Sequence, residues 1–141
     1  MIVIVCGGRH FTDGEFVFAE LDKIHAARPI SLVVEGGQRT FGKNKRPIGG
    51  ADFHASEWAV LRGIETKREN ARWRYLEHPA ARIKKDKSGR PYDANAGFRR
   101  NGLMIAKYHP EAIIAFDGGV GTGDMVTRAL GAGVEVIEVH K

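Results

Sequence analysis

Three short apolar runs in this chain each stop near a pair of glycines. Ile2-Val3-Ile4-Val5-Cys6 runs into Gly7-Gly8, Ile30 to Val34 is followed by Gly36-Gly37, and Ala112-Ile113-Ile114-Ala115-Phe116 leads to Asp117-Gly118-Gly119. Continuous apolar runs of this length, rich in β-branched residues, fit strands buried on both faces, the setting of a parallel sheet. Ile64 to Lys67 and Val134 to Val139 add two further candidate strands.

The stretches between these runs carry helical spacing. From Asp13 to Pro29, Phe16, Phe18, Leu21, Ile24 and His25 recur at intervals near three and four, with Thr12 or Asp13 as N-cap. Ala51 to Leu61 reads as a second helix packing through Phe53, Ala55, Trp58 and Leu61, with Gly63 at its C-terminal cap. Gly97 to Tyr108 is a third, closed by Pro110, and Asp124 to Leu130 begins a fourth. Glu69 to Ala94 is polar and punctuated by Pro79, Gly89 and Pro91, which predicts a long excursion with one helical turn around Ala71 to Leu76. Strands alternating with helices through right-handed crossovers predict an α/β, three-layer Rossmann-like fold with a mainly parallel sheet of about five strands. At 141 residues the chain suits a single domain on one core, spanning residues 1–141.

Composition excludes several classes. With 43% hydrophobic and 28% charged residues the chain matches an ordinary globular protein rather than a disordered one. Its longest apolar runs fall far short of the roughly 20 residues of a membrane span, and no charged region precedes the first of them. The single cysteine, Cys6, permits neither an internal disulfide nor a paired-cysteine metal motif, and the six histidines are scattered without metal-ligand spacing. The expectation is a cytoplasmic protein with no membrane partner, no metal and no cofactor.

Ligands of open α/β sheets bind beyond the carboxyl ends of the strands, where strand order reverses. Glycine there tolerates sharp turns and lets backbone N–H groups approach a ligand, and a helix starting after such a turn adds its positive end. Gly118-Gly119-Val120-Gly121-Thr122, with the Thr122 hydroxyl as an added donor, reads as a cradle for a phosphate or another anion. Neither a GxGxxG after the first strand nor a GxxxxGK[ST] occurs, which disfavours a nicotinamide cofactor or a triphosphate loop.

At Gly7-Gly8-Arg9, Gly49-Gly50-Ala51-Asp52, Trp58-Ala59, Ala96-Gly97, Arg100-Asn101, Met104 and Ala115 through Met125, the chain resembles the YpsA-related branch of the SLOG superfamily. The resemblance spans nearly the whole chain. It implies a Rossmann-like domain for nucleotides or nucleotide-derived ligands, in a superfamily that joins DprA-like DNA-uptake proteins to LOG-type phosphoribohydrolases. Two departures matter. Residues 38–48 separate Gly36-Gly37 from Gly49-Gly50-Ala51-Asp52 and read as an insertion beside the site. LOG-type hydrolases resemble PGGxGTxxE, whereas here Asp117 stands at the proline position and Met125 at the glutamate position. Asp124 lies one residue early, a rotation of about 100° on a helix, and Met125 supplies no base.

The candidate ligand-binding set is Gly8, Arg9, Gly36, Gly37, Asp52, Arg100, Asn101, Gly118, Gly119, Gly121 and Thr122, with Asp124 as a weak catalytic candidate. Arg9 suits a phosphate or a base face, and Arg100-Asn101 supplies a second cation and an amide, with Arg99 as the solvent-facing neighbour. Asp52 suits either a helix cap or a ribose hydroxyl. Cys6 reads as a small buried residue and Trp58 as core. Trp73, Arg74, Tyr75, Arg82, Lys84, Lys85, Lys87, Arg90 and Tyr92 mix cations with aromatics, as a loop over a nucleotide or a solvated surface would.

The net charge of +5 is local: Arg39 to Arg46 holds four cations and no acid, and Arg82 to Arg90 holds five cations and one acid. The remainder is mildly acidic. This places basic insertions at about 38–48 and 69–94. The expected function is binding of a nucleotide or nucleotide-derived signal, by sensing or sequestration, with a homo-oligomer as a possible assembly. A LOG-like N-glycosidase and a DprA-like single-strand binder remain as alternatives, nucleic acid being the less favoured partner.

Overall fold

The computed structural model describes all residues from Met1 to Lys141. Five strands, β1 (Ile2–Cys6), β2 (Leu32–Glu35), β5 (Glu65–Arg68), β8 (Ala112–Phe116) and β9 (Glu135–Val139), form one parallel sheet in the order β5-β2-β1-β8-β9. Register is continuous, with Ile4 opposite Val34 on one side and Ile113 on the other. The order reverses between β1 and β8, so the carboxyl ends of these two strands flank the switch point of the sheet.

Four helices cover the two faces. α1 (Gly14–Ala27) and α2 (Ala51–Leu61) cover one, where Val17, Leu21, Ala55 and Trp58 pack on Val3, Val5, Val33 and Ile114. α3 (Ala96–Tyr108) and α4 (Val120–Gly131) cover the other, where Met104, Met125 and Ala129 pack on Ile4, Val34 and Ile113. Alternate residues of one strand therefore serve different cores, which is why β1 and β8 read as unbroken apolar runs.

The expected caps form: the Phe16 N–H donates to Asp13 Oδ1 at 3.0 Å, and Gly63, at φ 69°, ends α2 with the Ile64 N–H on the Ala59 carbonyl at 2.8 Å. Two expectations change. α4 begins at Val120, four residues before Asp124; the packing of Met125 and Ala129 on the sheet outweighs the poor helix propensity of Gly121 and Gly123. The helical turn expected around 71–76 is a simple turn, closed by the Tyr75 N–H on the Arg72 carbonyl at 3.1 Å.

The polar stretches fold into two hairpins that the sequence does not announce. β3 (Thr40–Phe41) pairs with β4 (Pro47–Gly49), and β6 (Ile83–Lys85) with β7 (Pro91–Asp93). The second hairpin is tied down at its base. The buried Asp93 carboxylate accepts from the Arg82 and Asn95 N–H groups and pairs with Arg99, while the Asp93 N–H donates to the Trp73 carbonyl at 2.8 Å. Arg99, expected to face solvent, is thus half-buried and engaged.

Candidate functional site

A cavity of about 700 Å³ opens at the carboxyl ends of β1, β2 and β8, between the loops that follow them and the first turns of α3 and α4. Ten of the eleven candidate ligand residues line it: Gly8, Arg9, Gly36, Asp52, Arg100, Asn101, Gly118, Gly119, Gly121 and Thr122. Gly37 does not. Its backbone sits at φ 82° with its N–H on Glu35 Oε1, and a β-carbon there would meet the Asn70 side chain at 2.1 Å. Asp124 is also outside the lining.

The glycines divide by task. Gly8 donates its N–H to the Asp117 carbonyl (2.9 Å) and accepts from the Phe11 and Ala51 N–H groups, so its donor is spent joining three segments. A β-carbon at Gly36 would lie 2.6 Å from Arg100 Nη1, and one at Gly118 would lie 2.2 Å from Thr122 Oγ1 and 2.8 Å from the Gly8 nitrogen. These two positions are glycine because protein atoms approach. Gly119 and Gly121 have nothing within 4 Å of a built β-carbon. Both lie where α4 starts, and the first α4 turn has its Val120, Gly121 and Thr122 N–H groups free, the Gly123 N–H being engaged on the Gly119 carbonyl at 3.1 Å. Bare backbone, free donors and the positive end of a helix coincide at one wall of the cavity.

Behind the cavity-lining Gly36, Gln38 and Asp52 lies a buried ion cluster that sequence reading missed. Glu35, fully buried at the end of β2, takes a fork of two hydrogen bonds from Arg39 (2.8 and 3.1 Å) and a third from Arg68 (3.1 Å). An acid ending an otherwise apolar strand was the available signal. Beside it Asp52, 4% exposed, accepts the Gln38 N–H at 3.0 Å. Burial first, and the Glu35 charge second, push the Asp52 carboxyl up to about 7, against the opposing pull of the Gln38 N–H, Arg100 and Arg39. It does not cap α2, which starts from Gly50 without a side-chain cap.

Arg100 spans the cavity floor. It donates to the Gly36 carbonyl, to the Glu69 carbonyl at 3.2 Å and to Asn101 Oδ1 at 3.1 Å, and burial pulls its guanidinium below the usual arginine range. Asn101 in turn donates to the Gly121 carbonyl at 3.1 Å and to Asp124 Oδ2 at 3.0 Å. Its amide nitrogen is therefore committed to holding the first turn of α4. Asp124 is committed as well, taking Arg128 Nε at 2.9 Å.

Met125 is buried and lines the cavity at the position where a glutamate would serve a hydrolase. Cys6 lines it too, and burial pushes its thiol well above the ordinary range, so it is no thiolate nucleophile. Gln38, Trp73 and Phe98 join the lining without having been singled out as ligand residues. Trp73 reaches it because Gly97, at the start of α3, has no β-carbon: one would lie 2.8 Å from the indole ring.

No curated protein matches the chain in sequence. Among solved structures it is similar to a crystal structure of a protein from the universal stress protein family of Burkholderia pseudomallei, at 10% identity and a TM-score of 0.43, over 98% of this chain and 94% of that one. A family model described as YspA, cpYpsA-related SLOG family matches residues 1–75, the stretch that carries β1, the Gly7-Gly8-Arg9 turn, the Glu35 cluster and Asp52. The chain therefore belongs to the YspA, cpYpsA-related SLOG family.

Proposed function

We propose that this protein binds a nucleotide or nucleotide-derived ligand in the cavity at the carboxyl edge of its sheet, with a phosphate against the first turn of α4, and holds it without turnover. One observation carries this reading: the free N–H groups of α4 open into the cavity beside Gly119 and Gly121, whose missing side chains no protein atom requires. Arg9 and Arg100 supply the cations, and about 700 Å³ is ample for one nucleotide. Binding without hydrolysis is supported by Met125 facing the cavity and by the engagement of Asp124 with Asn101 and Arg128.

Isothermal titration with a panel of 5′-nucleotides tests the site. Gly119→Asp is a fold-neutral probe, because the position is open and aspartate is a favoured helix N-cap. The wild-type protein is expected to bind at least one nucleotide, and the variant, which sets a carboxylate where the phosphate rests, to lose about tenfold or more in affinity. Equal heats from both proteins would remove the cradle.

A second reading is favoured by Asp52. A cavity-lining carboxyl with a pKa of about 7 is suited to general acid–base work, so a LOG-like N-glycosidase would run through Asp52 rather than Asp124. Release of free base at turnover, abolished in Asp52→Asn, would establish that reading in place of the first.

A further inference from the structure

The cavity does not end at its mouth. A second, larger hollow of about 1330 Å³ adjoins it, and Arg9, Gln38, Trp73 and Ala94 belong to the lining of both. Its remaining wall comes from residues 71–75 and the tip of the β6–β7 hairpin. The two hollows differ in charge. The inner one sets two arginines, Arg9 and Arg100, against two aspartates, Asp52 and Asp117, whereas the outer one has five cations and a single acid, Asp86.

That acid is already neutralised. Asp86 pairs with Arg74 at 2.9 Å and accepts from the Ser88 hydroxyl at 2.7 Å, and the same Arg74 donates to the Pro91 carbonyl at 2.9 Å. Arg74 therefore braces the hairpin, while Arg72, Lys85 and Lys87 have no carboxylate within ion-pairing distance. Aromatic faces stand among these free cations. Trp73 and Tyr92 meet edge to face at 6.4 Å, and the Arg72 guanidinium lies 5.3 Å from the centre of the Tyr75 ring, which is 44% exposed. Unpaired cations interleaved with accessible or half-buried aromatic rings are the chemistry that holds a phosphate and stacks a base. The buried Asp93 anchor keeps the base of this wall in place without a ligand.

Building on the nucleotide reading of the inner cavity, we infer that the outer hollow is a second subsite, which takes a further nucleoside-phosphate unit joined to the first. The ligand is then of dinucleotide size. One unit lies against α4, the linking phosphate passes Arg9, and the second unit meets Lys85, Lys87 and the ring of Tyr75. A mononucleotide held in the inner cavity would leave the outer hollow empty.

Affinities of 5′-AMP and 5′-GMP, of ATP and GTP, and of the phosphodiester-linked pApA and pGpG decide the matter, measured by titration on the wild-type protein and on Lys85→Ala/Lys87→Ala and Tyr75→Ser. Both changes lie on exposed side chains outside the inner cavity, and circular dichroism checks that the fold is kept. The expected result is a linked dinucleotide bound at least about tenfold more tightly than its mononucleotide, with the gain lost in the double variant, reduced in Tyr75→Ser, and mononucleotide affinity unchanged in both. Mononucleotide binding with no added gain for the dinucleotide would overturn the second subsite and leave the inner site standing. A gain matched by ATP or GTP would overturn it in favour of a bare phosphate chain. Silence from every probe would remove both sites together. An oligothymidine of about ten nucleotides, if bound more tightly than any dinucleotide, would assign the groove to a single strand and overturn the small-ligand reading.

Discussion

Asp52 and Glu35 are two carboxyl groups in one buried neighbourhood, and they are treated differently. Glu35 is held by Arg39 and Arg68, whereas Asp52 has a single backbone donor and feels the Glu35 charge. A folded-state pKa of about 7 for Asp52, above the ordinary 3.8, means that the folded protein holds a proton there which the unfolded chain releases. Stability from this group is therefore greatest at low pH and falls as pH rises towards 7. An anionic ligand should follow the same direction, because a charged Asp52 repels it. Affinity is expected to drop between about pH 6 and pH 8, and Asp52→Asn to flatten that drop, measured by titration of one nucleotide on both proteins so that the ligand's own ionisation cancels. Glu35→Gln has a different expected outcome. It strands the Arg39 guanidinium, whose side chain is 5% exposed, and should cost about 3 kcal/mol or more in chemical denaturation.

Among the elements, the turn between β8 and α4 separates structure from binding. Gly118→Ala is expected to destabilise the fold, since the new carbon meets Thr122 Oγ1 and the Gly8 nitrogen inside contact distance. Gly121→Ala enters open space in a helix and should leave stability level or raise it by up to about 1 kcal/mol, while weakening ligand binding. Denaturation and titration on the two variants check this opposition. The same turn shows what was legible in the sequence. The runs at Ile2–Cys6 and Ala112–Phe116 identify their strands to the residue, because five apolar residues are too few for a helix and a glycine turn bounds each run. The glycine pairs correctly marked the strand ends, yet composition alone gave no way to tell Gly36 and Gly118, which accommodate protein atoms, from Gly119 and Gly121, which do not. The start of α4 was misplaced for a related reason: propensity penalises glycine wherever it stands, and packing on the sheet overrode it. The hairpins at 40–49 and 83–93 lack alternating apolar residues, so their pairing depends on anchors such as Asp93 that only tertiary structure reveals.

For the molecule as a whole, the distribution of charge matters more than its net value. Lys85 and Lys87 of the second hairpin join Arg9, Arg72 and Arg74 around one hollow beside the carboxyl edge of the sheet, while elsewhere cations are paired, as Arg62 is with Asp22 and Arg28 with Glu135. A protein that coats nucleic acid needs a longer basic track than this, and its affinity falls steeply with added salt. Retention of single-stranded DNA is accordingly expected to be undetectable at about 150 mM salt by gel shift. No helix is long and apolar enough to cross a membrane. The two sheet ends also differ in what they leave accessible. Because all five strands of the main sheet run parallel, β9 delivers His140 and Lys141 to the carboxyl edge, where His140 meets the cavity-lining Asp117 at 2.7 Å and Lys141 reaches Asp13 at 2.6 Å. Met1, bonded to the Pro29 carbonyl, sits at the other end. A reporter dye carried on the Lys141 side chain would stand near the Asp117 rim of the cavity and respond to anything that enters it, while the same dye carried at Met1 would sit at the far edge of the sheet and stay silent.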